Sequence, residues 1–365
     1  MGNTQLPCGG DTTQTAGKVL GASIVRKDRR VPQVAPDELR LISREIFVAA
    51  GVPPESARQV ADSLVDANLA GHDSHGVIRV PSYVELVREG RIVAQAQPEL
   101  VHETASIAVV DGHWAFGQLT ARRSMAIAIA KTKDSGVAAV SALACNHIGR
   151  LGEWVEMAAA EGLIGFATVA MHGVGLAAAP HGGAERAMST NPIAFGMPSA
   201  TCGSVVTDFA TTTVAEGKLQ VARAKGVEVP PGCIIDSQGR PSTSPQDFYD
   251  GGAMLPFGAH KGYGLAVVSQ LLSLALTGAL GAAQGEFSSG AFFVCVDPGA
   301  FGSRTAYGQT ADELLRQIKA VRPLPGFAEV LLPGEPEQRA RAARAHGVPV
   351  DDVTWGKLQD LHRNT

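Results

Sequence analysis

Between residues 105 and 296 the chain alternates short apolar runs of β-type composition with alanine-rich stretches of helical period, which restricts it to an α/β architecture. The runs over 105–110, 137–143, 164–170, 203–208 and 291–296 read as strands, and 118–132, 151–161 and 265–276 as helices. Ahead of this region, Leu39, Ile42, Ile46 and Phe47, then Ala57, Val60, Ala61, Leu64 and Val65, recur at helical spacing. Two helices are therefore expected over 36–69, broken at Gly51-Val-Pro-Pro. A third is expected over 81–88, and helical patterning returns at 311–318 and 337–346. Helices at both ends of an α/β middle imply that the two chain ends build one helical domain. The expected division is a flexible tail over 1–33, a helical part over 34–100, an α/β domain over 101–300 and a C-terminal helical part over 301–365.

Composition removes several function classes. Lys plus Arg is 31 against 35 for Asp plus Glu, a net charge of −4, so no basic surplus exists to neutralise nucleic-acid phosphates. A hydrophobic fraction of 45% excludes a disordered chain. Cys8, Cys145, Cys202, Cys233 and Cys295 are scattered without a CxxC pair, which argues against a disulfide framework or structural zinc and fits a reducing, cytoplasmic setting. The polar first 33 residues lack the apolar core of a secretory signal. The apolar stretch 264–280 is short for a membrane span and contains Ser269, Gln270, Ser273 and Thr277, so a buried helix is expected there.

A common dinucleotide enzyme would show GxGxxG after its first strand. Gly173-Val-Gly175 follows a strand, but Ala178 stands where the third glycine belongs. Gly258-Ala-His-Lys-Gly262 lacks the spacing of a Walker A loop. Any nicotinamide cofactor would be bound without the Rossmann fingerprint.

Several polar clusters could carry chemistry. Gly71-His-Asp-Ser-His-Gly76, followed by Arg79, offers an imidazole suited to proton transfer at His75, a hydroxyl at Ser74, and a planar guanidinium that matches a carboxylate. That combination suits reduction of a 2-oxo acid; the same residues would also serve as a polar loop with helix caps. Asn146-His147 follows a strand, where α/β folds place ligands, though a satisfied loop histidine reads the same way. His181-Gly-Gly183 through Ser189-Thr-Asn-Pro-Ile193 suits phosphate contact or a plain turn. Asp208, ending a strand ahead of Phe209-Ala210-Thr211, faces a pocket or caps a helix. His260-Lys261, among glycines at a helix start, form an anion site or a helix-entry loop. Pro333-Gly-Glu-Pro-Glu337 reads as a turn and cap. His72, Asp73 and His75 have metal-ligand chemistry without the HExxH spacing, so no metal is expected and a metal-dependent hydrolase is the rival from another class. No GxSxG elbow is present.

Taken in order, Gly71-His-Asp-Ser-His-Gly-Val-Ile-Arg79, Asn146-His147, Ser189-Thr-Asn-Pro192, Asp208-Phe-Ala-Thr211, Gly217-Lys218, Gly258-Ala-His-Lys-Gly-Tyr-Gly264, Arg322-Pro-Leu-Pro-Gly326 and Pro333-Gly-Glu-Pro-Glu337 resemble the malate/L-lactate dehydrogenase family of non-Rossmann oxidoreductases. That family includes ureidoglycolate and sulfolactate dehydrogenases, diketogulonate reductase and cyclic-imine carboxylate reductases. The resemblance implies NAD- or NADP-dependent hydride transfer at a carbon next to a carboxylate, in a homodimer. It also implies a mixed-sheet, non-Rossmann cofactor domain beside the helical domain. It implies His75 as proton donor or acceptor, Ser74 as its assistant, His147 as a second acid/base candidate and Arg79 as the clamp on a small carboxylic acid. His147, Ile148, Gly149, Arg150, Leu151, Thr190, Asp208, Phe209, Ala210, His260, Lys261 and Glu335 would line the cofactor. Two positions depart from the family. Arg150 puts a cation where members have small residues, which would suit a 2′-phosphate or the substrate. Lys218 stands where imine reductases of the family can carry an aspartate, which tilts the reading from cyclic imines to hydroxy acids.

Overall fold

The computed structural model describes residues 31–201 and 203–365; the expected tail up to residue 30, with Cys8, and Cys202 lie outside the described residues. Gln33–Val34 (β1) leads into two helices, Pro36–Ala49 (α1) and Pro54–Leu69 (α2). Each opens with a proline in its first turn and acidic side chains there (Asp37 and Glu38; Glu55), where the free N–H groups favour both. Gly51, at φ 87°, makes the break between them. Two 3₁₀ turns, Asp73–His75 and Val77–Arg79, connect α2 to Val80–Arg88 (α3).

The α/β region then runs Glu99–Glu103 (β2), Ile107–Asp111 (β3), Gly117–Ser135 (α4), Val137–Leu143 (β4), Leu151–Ala160 (α5), Ile164–His172 (β5), Ile193–Met197 (β6) and Val205–Phe209 (β7). It continues through Glu216–Lys225 (α6), Ile234–Ile235 (β8), Pro241–Ser242 (β9), Pro245–Tyr249 (α7), Ala253–Met254 (β10), His260–Gln270 (α8) and Ser288–Val296 (β11). Arg304–Lys319 (α9), Glu335–Arg344 (α10), Val348–Pro349 (β12) and Asp352–Arg363 (α11) complete the described chain.

The central sheet has seven strands in the order β2-β3-β4-β11-β5-β6-β7, and only β3–β4, joined through α4, is a parallel pair. A mixed sheet of this kind has no succession of parallel βαβ units, in keeping with the missing glycine fingerprint. Ala167 and Ala170 point to opposite faces of β5. Ala167 joins a core with Met125, Val140, Trp154 and Phe293 under α4 and α5, whereas Ala170 joins Leu274 and Ala279 on the other side. A second core holds Leu39, Phe47, Leu64, Tyr83 and Phe116 together with Val348, Val350 and Leu358, so side chains from both ends of the chain share it. Gln33 pairs with Pro349 in the short β1–β12 ribbon. A third, small core of Leu219, Ile234, Phe248 and Met254 supports the three-stranded sheet β10-β8-β9.

Strand 137–143 has the expected bounds, and the other expected elements shift by a few residues. The helix expected over 265–276 starts at His260 and ends in a π turn over Leu271–Ala275. It is not wholly buried: one side packs on β5 and β11, while Leu265, Val268 and Leu271 are exposed. No helix among the described residues is long and apolar enough to cross a membrane.

Glu153 ties the helical part to the α/β part. Its carboxylate accepts from Ser63 Oγ of α2 at 2.5 Å and from Arg122 Nη2 of α4 at 2.8 Å. Burial pushes this carboxyl up to about 7, against the pull of Ser63 and Arg122. Between its unfolded value of 4.5 and about 7 the folded chain keeps a proton that the unfolded chain has released, so this group's contribution to stability is lost as pH rises through that window. Glu153→Gln removes the titration. Calorimetric melting at pH about 5 and about 8 should move the variant up relative to the parent by about 2–4 °C. Parallel shifts in both proteins would mean that Glu153 does not titrate in this range.

Candidate active site

Helix α2 ends at Leu69 and is capped by Ala70, and Gly71, at φ 85°, turns the chain into the segment carrying Ser74, His75 and Arg79. Asn68, buried in the last turn of α2, accepts Val77 N–H at 2.8 Å through Oδ1 and donates from Nδ2 to Asp73 Oδ1 at 2.7 Å. Gly76 is required beside it, because a Cβ there would lie 2.1 Å from Asn68 Oδ1. From the other end of the chain, α10 grips the same segment. Arg344 donates to both oxygens of Asp73, at 2.6 and 3.1 Å, and to the carbonyl of Asn68, while Glu337 pairs with His72 at 3.2 Å.

Within the segment, Ser74 Oγ lies 3.1 Å from His75 Nδ1. Arg79 Nε donates to the Ser74 carbonyl at 2.7 Å, and the Nη groups have no partner among the described residues. The His75 ring stacks on His147, with centroids 5.4 Å apart and planes 20° from parallel. His147 arrives on the loop after β4. Asn146 fixes that loop by donating to the carbonyls of Trp114 at 2.8 Å and Ala115 at 3.0 Å. Gly117 lets the loop pack closely, since a Cβ there would be 2.4 Å from the His147 carbonyl oxygen. The Tyr83 hydroxyl meets His147 Nδ1 at 2.6 Å and accepts from Gln118 Nε2 at 2.9 Å.

The charges that act on the two rings are positive. Burial first, then the charges of Arg79, His72 and Arg150, pushes His75 down to about 3. Burial, Arg79 and His75 hold His147 well below the usual histidine value. Both rings are therefore neutral near pH 7.

A second group of expected residues converges at the start of α5. Ile148 is buried, its carbonyl accepting from Trp154 Nε1 at 3.1 Å, and Gly149 has φ 76°. Next come Arg150 and Leu151. The Arg150 guanidinium is buried and pairs with Glu156, while its Nε and Nη1 have no partner among the described residues. Glu156 also accepts from Arg341 of α10 at 2.9 Å. Gly152 N–H donates to Asp208 Oδ2 at 2.7 Å, and burial raises the Asp208 carboxyl. A Cβ on Gly152 would lie 2.4 Å from Arg150 Nη1.

Thr190, Phe209, Ala210, His260 and Lys261 follow along one backbone track. Thr211, next to Ala210, donates to the Thr190 carbonyl at 2.9 Å, and the Thr211 carbonyl accepts from Phe257 N–H at 3.0 Å. The Phe209 ring lies 5.7 Å from that of Phe257. His260 and Lys261 are exposed in the first turn of α8. Glu335 opens α10 just after the Gly334 cap, and its carboxylate takes Lys319 and Leu332 N–H. Gly217, at the start of α6, presses on Ser74, where an added Cβ would come within 2.9 Å of the serine Cβ. Lys218 follows it, exposed and without an ion-pair partner among the described residues. The side chains of the metal reading are otherwise engaged: His72 with Glu337, Asp73 with Arg344, and His75 with Ser74. No group of three His, Cys, Asp or Glu among the described residues could hold a metal ion.

Tyr83, Gln118, Asn68, Arg341 and Arg344 lie in no motif, and Glu337 lies in one that reads only as a turn and cap. Their partners are up to 276 residues away in sequence, as in Asn68–Arg344.

Residues 34–359 match the model of the malate/L-lactate dehydrogenase family. The chain is 37% identical over 328 residues to hydroxycarboxylate dehydrogenase B of Escherichia coli O157:H7, covering 87% of this chain and 90% of that one. It is 34% identical over 334 residues to L-sulfolactate dehydrogenase of Methanocaldococcus jannaschii, covering 89% and 95%. The solved structure of sulfolactate dehydrogenase from that organism superposes with a TM-score of 0.83 at 32% identity, over 91% and 97% of the two chains. The Delta(1)-pyrroline-2-carboxylate/Delta(1)-piperideine-2-carboxylate reductase of Pseudomonas syringae pv. tomato is 31% identical over 344 residues, covering 92% and 97%.

The grip of α10 on the 72–79 segment is testable without an assay of turnover. Arg344→Ala should speed amide hydrogen exchange at Val77 and Arg79 about tenfold, leaving the α1–α2 core unchanged, and Arg344→Lys should recover part of the protection. Unchanged exchange in Arg344→Ala would mean that Asn68 holds the segment alone.

Proposed function

The chain belongs to the malate/L-lactate dehydrogenase family, and we propose that it transfers a hydride between a nicotinamide dinucleotide, NAD or NADP, and C2 of a small 2-hydroxy or 2-oxo acid. The observation that carries this reading is the stacked His75–His147 pair beside the free Nη groups of Arg79. A guanidinium fork fixes a carboxylate, and an imidazole next to it reaches the neighbouring oxygen.

The donor set at α5 suits a dinucleotide phosphate. Arg150 Nε and Nη1 have no acceptor among the described residues and lie at the N-terminus of α5, where Gly152 makes room for the guanidinium and gives its own N–H to Asp208. His147, Ile148, Gly149, Leu151, Thr190, Asp208, Phe209, Ala210, His260, Lys261 and Glu335 would complete the binding surface. When bound, the nicotinamide supplies or accepts the hydride. Arg79 holds the acid so that C2 and its oxygen are presented in one orientation, which converts encounter into alignment. In oxidation, neutral His75 takes the proton of the substrate hydroxyl. In reduction, a substrate carboxylate on Arg79 offsets one of the charges that depress His75 and so favours its protonation, and the carbonyl oxygen takes that proton as C2 gains the hydride. Ser74 holds the ring through Nδ1.

Reduction of a cyclic imine on the same scaffold is the second reading, supported by the Pseudomonas relative. The charges favour the first. A protonated imine is a cation, and the charges that act on His75 are Arg79, His72 and Arg150, with Lys218 following the glycine that touches Ser74. A homodimer is supported by α9, where Leu314 and Ile318 are exposed and only Gly308 and Asp312 are buried. The free thiols of Cys145, Cys233 and Cys295 fit a reducing cytoplasm.

Following the reduced-nicotinamide absorbance with 2-oxo and cyclic 2-imino acids, each with NADH and NADPH, tests substrate class and cofactor together. His75→Ala should lower kcat about 10²–10⁴-fold while cofactor binding persists. Arg79→Ala should chiefly raise KM. Full activity in both His75→Ala and His147→Ala would overturn the assignment.

A further inference from the structure

We infer that Tyr83 and Gln118 are positioning residues that hold the His147 ring with its proton on Nε2, making it a standing hydrogen-bond donor and leaving His75 to move the proton. The inference rests on the dehydrogenase reading above for its chemistry, though not for its geometry.

A phenol has one proton to give. The Gln118 amide Nε2, buried at the start of α4, donates into the Tyr83 oxygen at 2.9 Å. The phenol proton is then free for the other neighbour, His147 Nδ1, at 2.6 Å. Burial pushes the Tyr83 hydroxyl up to about 12, so it remains protonated at neutral pH. A neutral imidazole that accepts at Nδ1 carries its proton on Nε2. That nitrogen has no partner among the described residues, and the residue as a whole is half-buried. Tyr83 cannot easily swing away, because its ring packs against both Phe47 and Phe116, at 6.5 and 5.9 Å.

His75 is held differently. Its Nδ1 faces Ser74 Oγ, and a hydroxyl both donates and accepts, so either proton position on that ring is satisfied. His147 could act as a base only by gaining a second proton beside Arg79 and His75, with the phenol proton already at its Nδ1. The roles separate accordingly. In reduction, C2 gains hydrogen with its electron pair from the reduced nicotinamide, and the C=O π pair moves onto oxygen. The oxygen takes a proton from the His75 imidazolium, while His147 Nε2–H donates to that oxygen throughout and keeps its proton. The competing arrangement would aim Gln118 Oε1 at the phenol, and His147 Nδ1–H would then donate to Tyr83.

Long-range ¹H–¹⁵N spectra of the histidine rings in the full-length protein distinguish the two arrangements with no substrate present, the His147 signals being assigned by their loss in His147→Gln. A pyridine-type Nδ1 and a protonated Nε2 on His147 are expected. Tyr83→Phe should give a mixed tautomer pattern and lower kcat about ten- to a thousandfold, with KM for the 2-oxo acid and the cofactor Kd from fluorescence within about twofold. Gln118→Glu, whose carboxylate draws the phenol proton, should turn the ring to the Nδ1–H form. A protonated Nδ1 on His147 in the parent protein overturns the inference, as does undiminished kcat in Tyr83→Phe. Failure of the dehydrogenase reading shows separately, as a parent protein with the expected ring spectrum that turns over no acid with either nicotinamide.

Discussion

Two stacked imidazoles that feel the charge of one guanidinium cannot both be charged, and the candidate site is arranged around that repulsion. Arg79, His72 and Arg150 depress His75, and Arg79 and His75 depress His147. Among the described residues, no carboxylate is among the charges that shift either ring. The free protein thus keeps a neutral base beside an unfilled cation. An incoming anion changes that balance by its own charge, so binding of the acid and the proton state of the ring are linked through electrostatics alone.

The architecture serves this arrangement by bringing the two rings from different layers. His75 hangs from the helical part, on a segment stitched to α2 by Asn68 and to α10 by Arg344. His147 stands at the end of a strand in the mixed sheet, on a loop pinned by Asn146. Phe47, Tyr83 and Phe116 pack where these parts meet, and the same core includes Val348 and Leu358 from the far end of the chain. The spacing of the rings therefore depends on an apolar seam, not on the loops themselves.

Much of this was readable in the residues. Strong periodicity placed α1 and α2, and the Gly51-Val-Pro-Pro break lies where the chain turns. Strand β6 escaped because it is five residues long, contains Gly196 and lies between Pro192 and Pro198. Helix α11 escaped because only Thr354 and Leu358 are buried on it, too few to mark an apolar face. Ser74, His75 and Arg79 are close in sequence, so their chemistry was visible as a cluster. Tyr83 sits on the apolar face of a helix and is indistinguishable there from an ordinary core aromatic. Its bond to His147 spans 64 residues and exists only after folding. Arg150 was legible as an unusual cation, but the burial of its guanidinium against Glu156 was not.

Helix α10 buries none of its side chains, yet Glu337, Arg341 and Arg344 each reach a group at or beside the candidate site. Attachments of this kind weaken as counter-ions accumulate, whereas apolar burial is strengthened by excluded salts such as sulfate. The segment that carries His75 and the cores beneath it therefore respond to ionic strength with opposite sign. For this molecule, the buffer that best preserves the fold is not the buffer in which His75 is held most firmly.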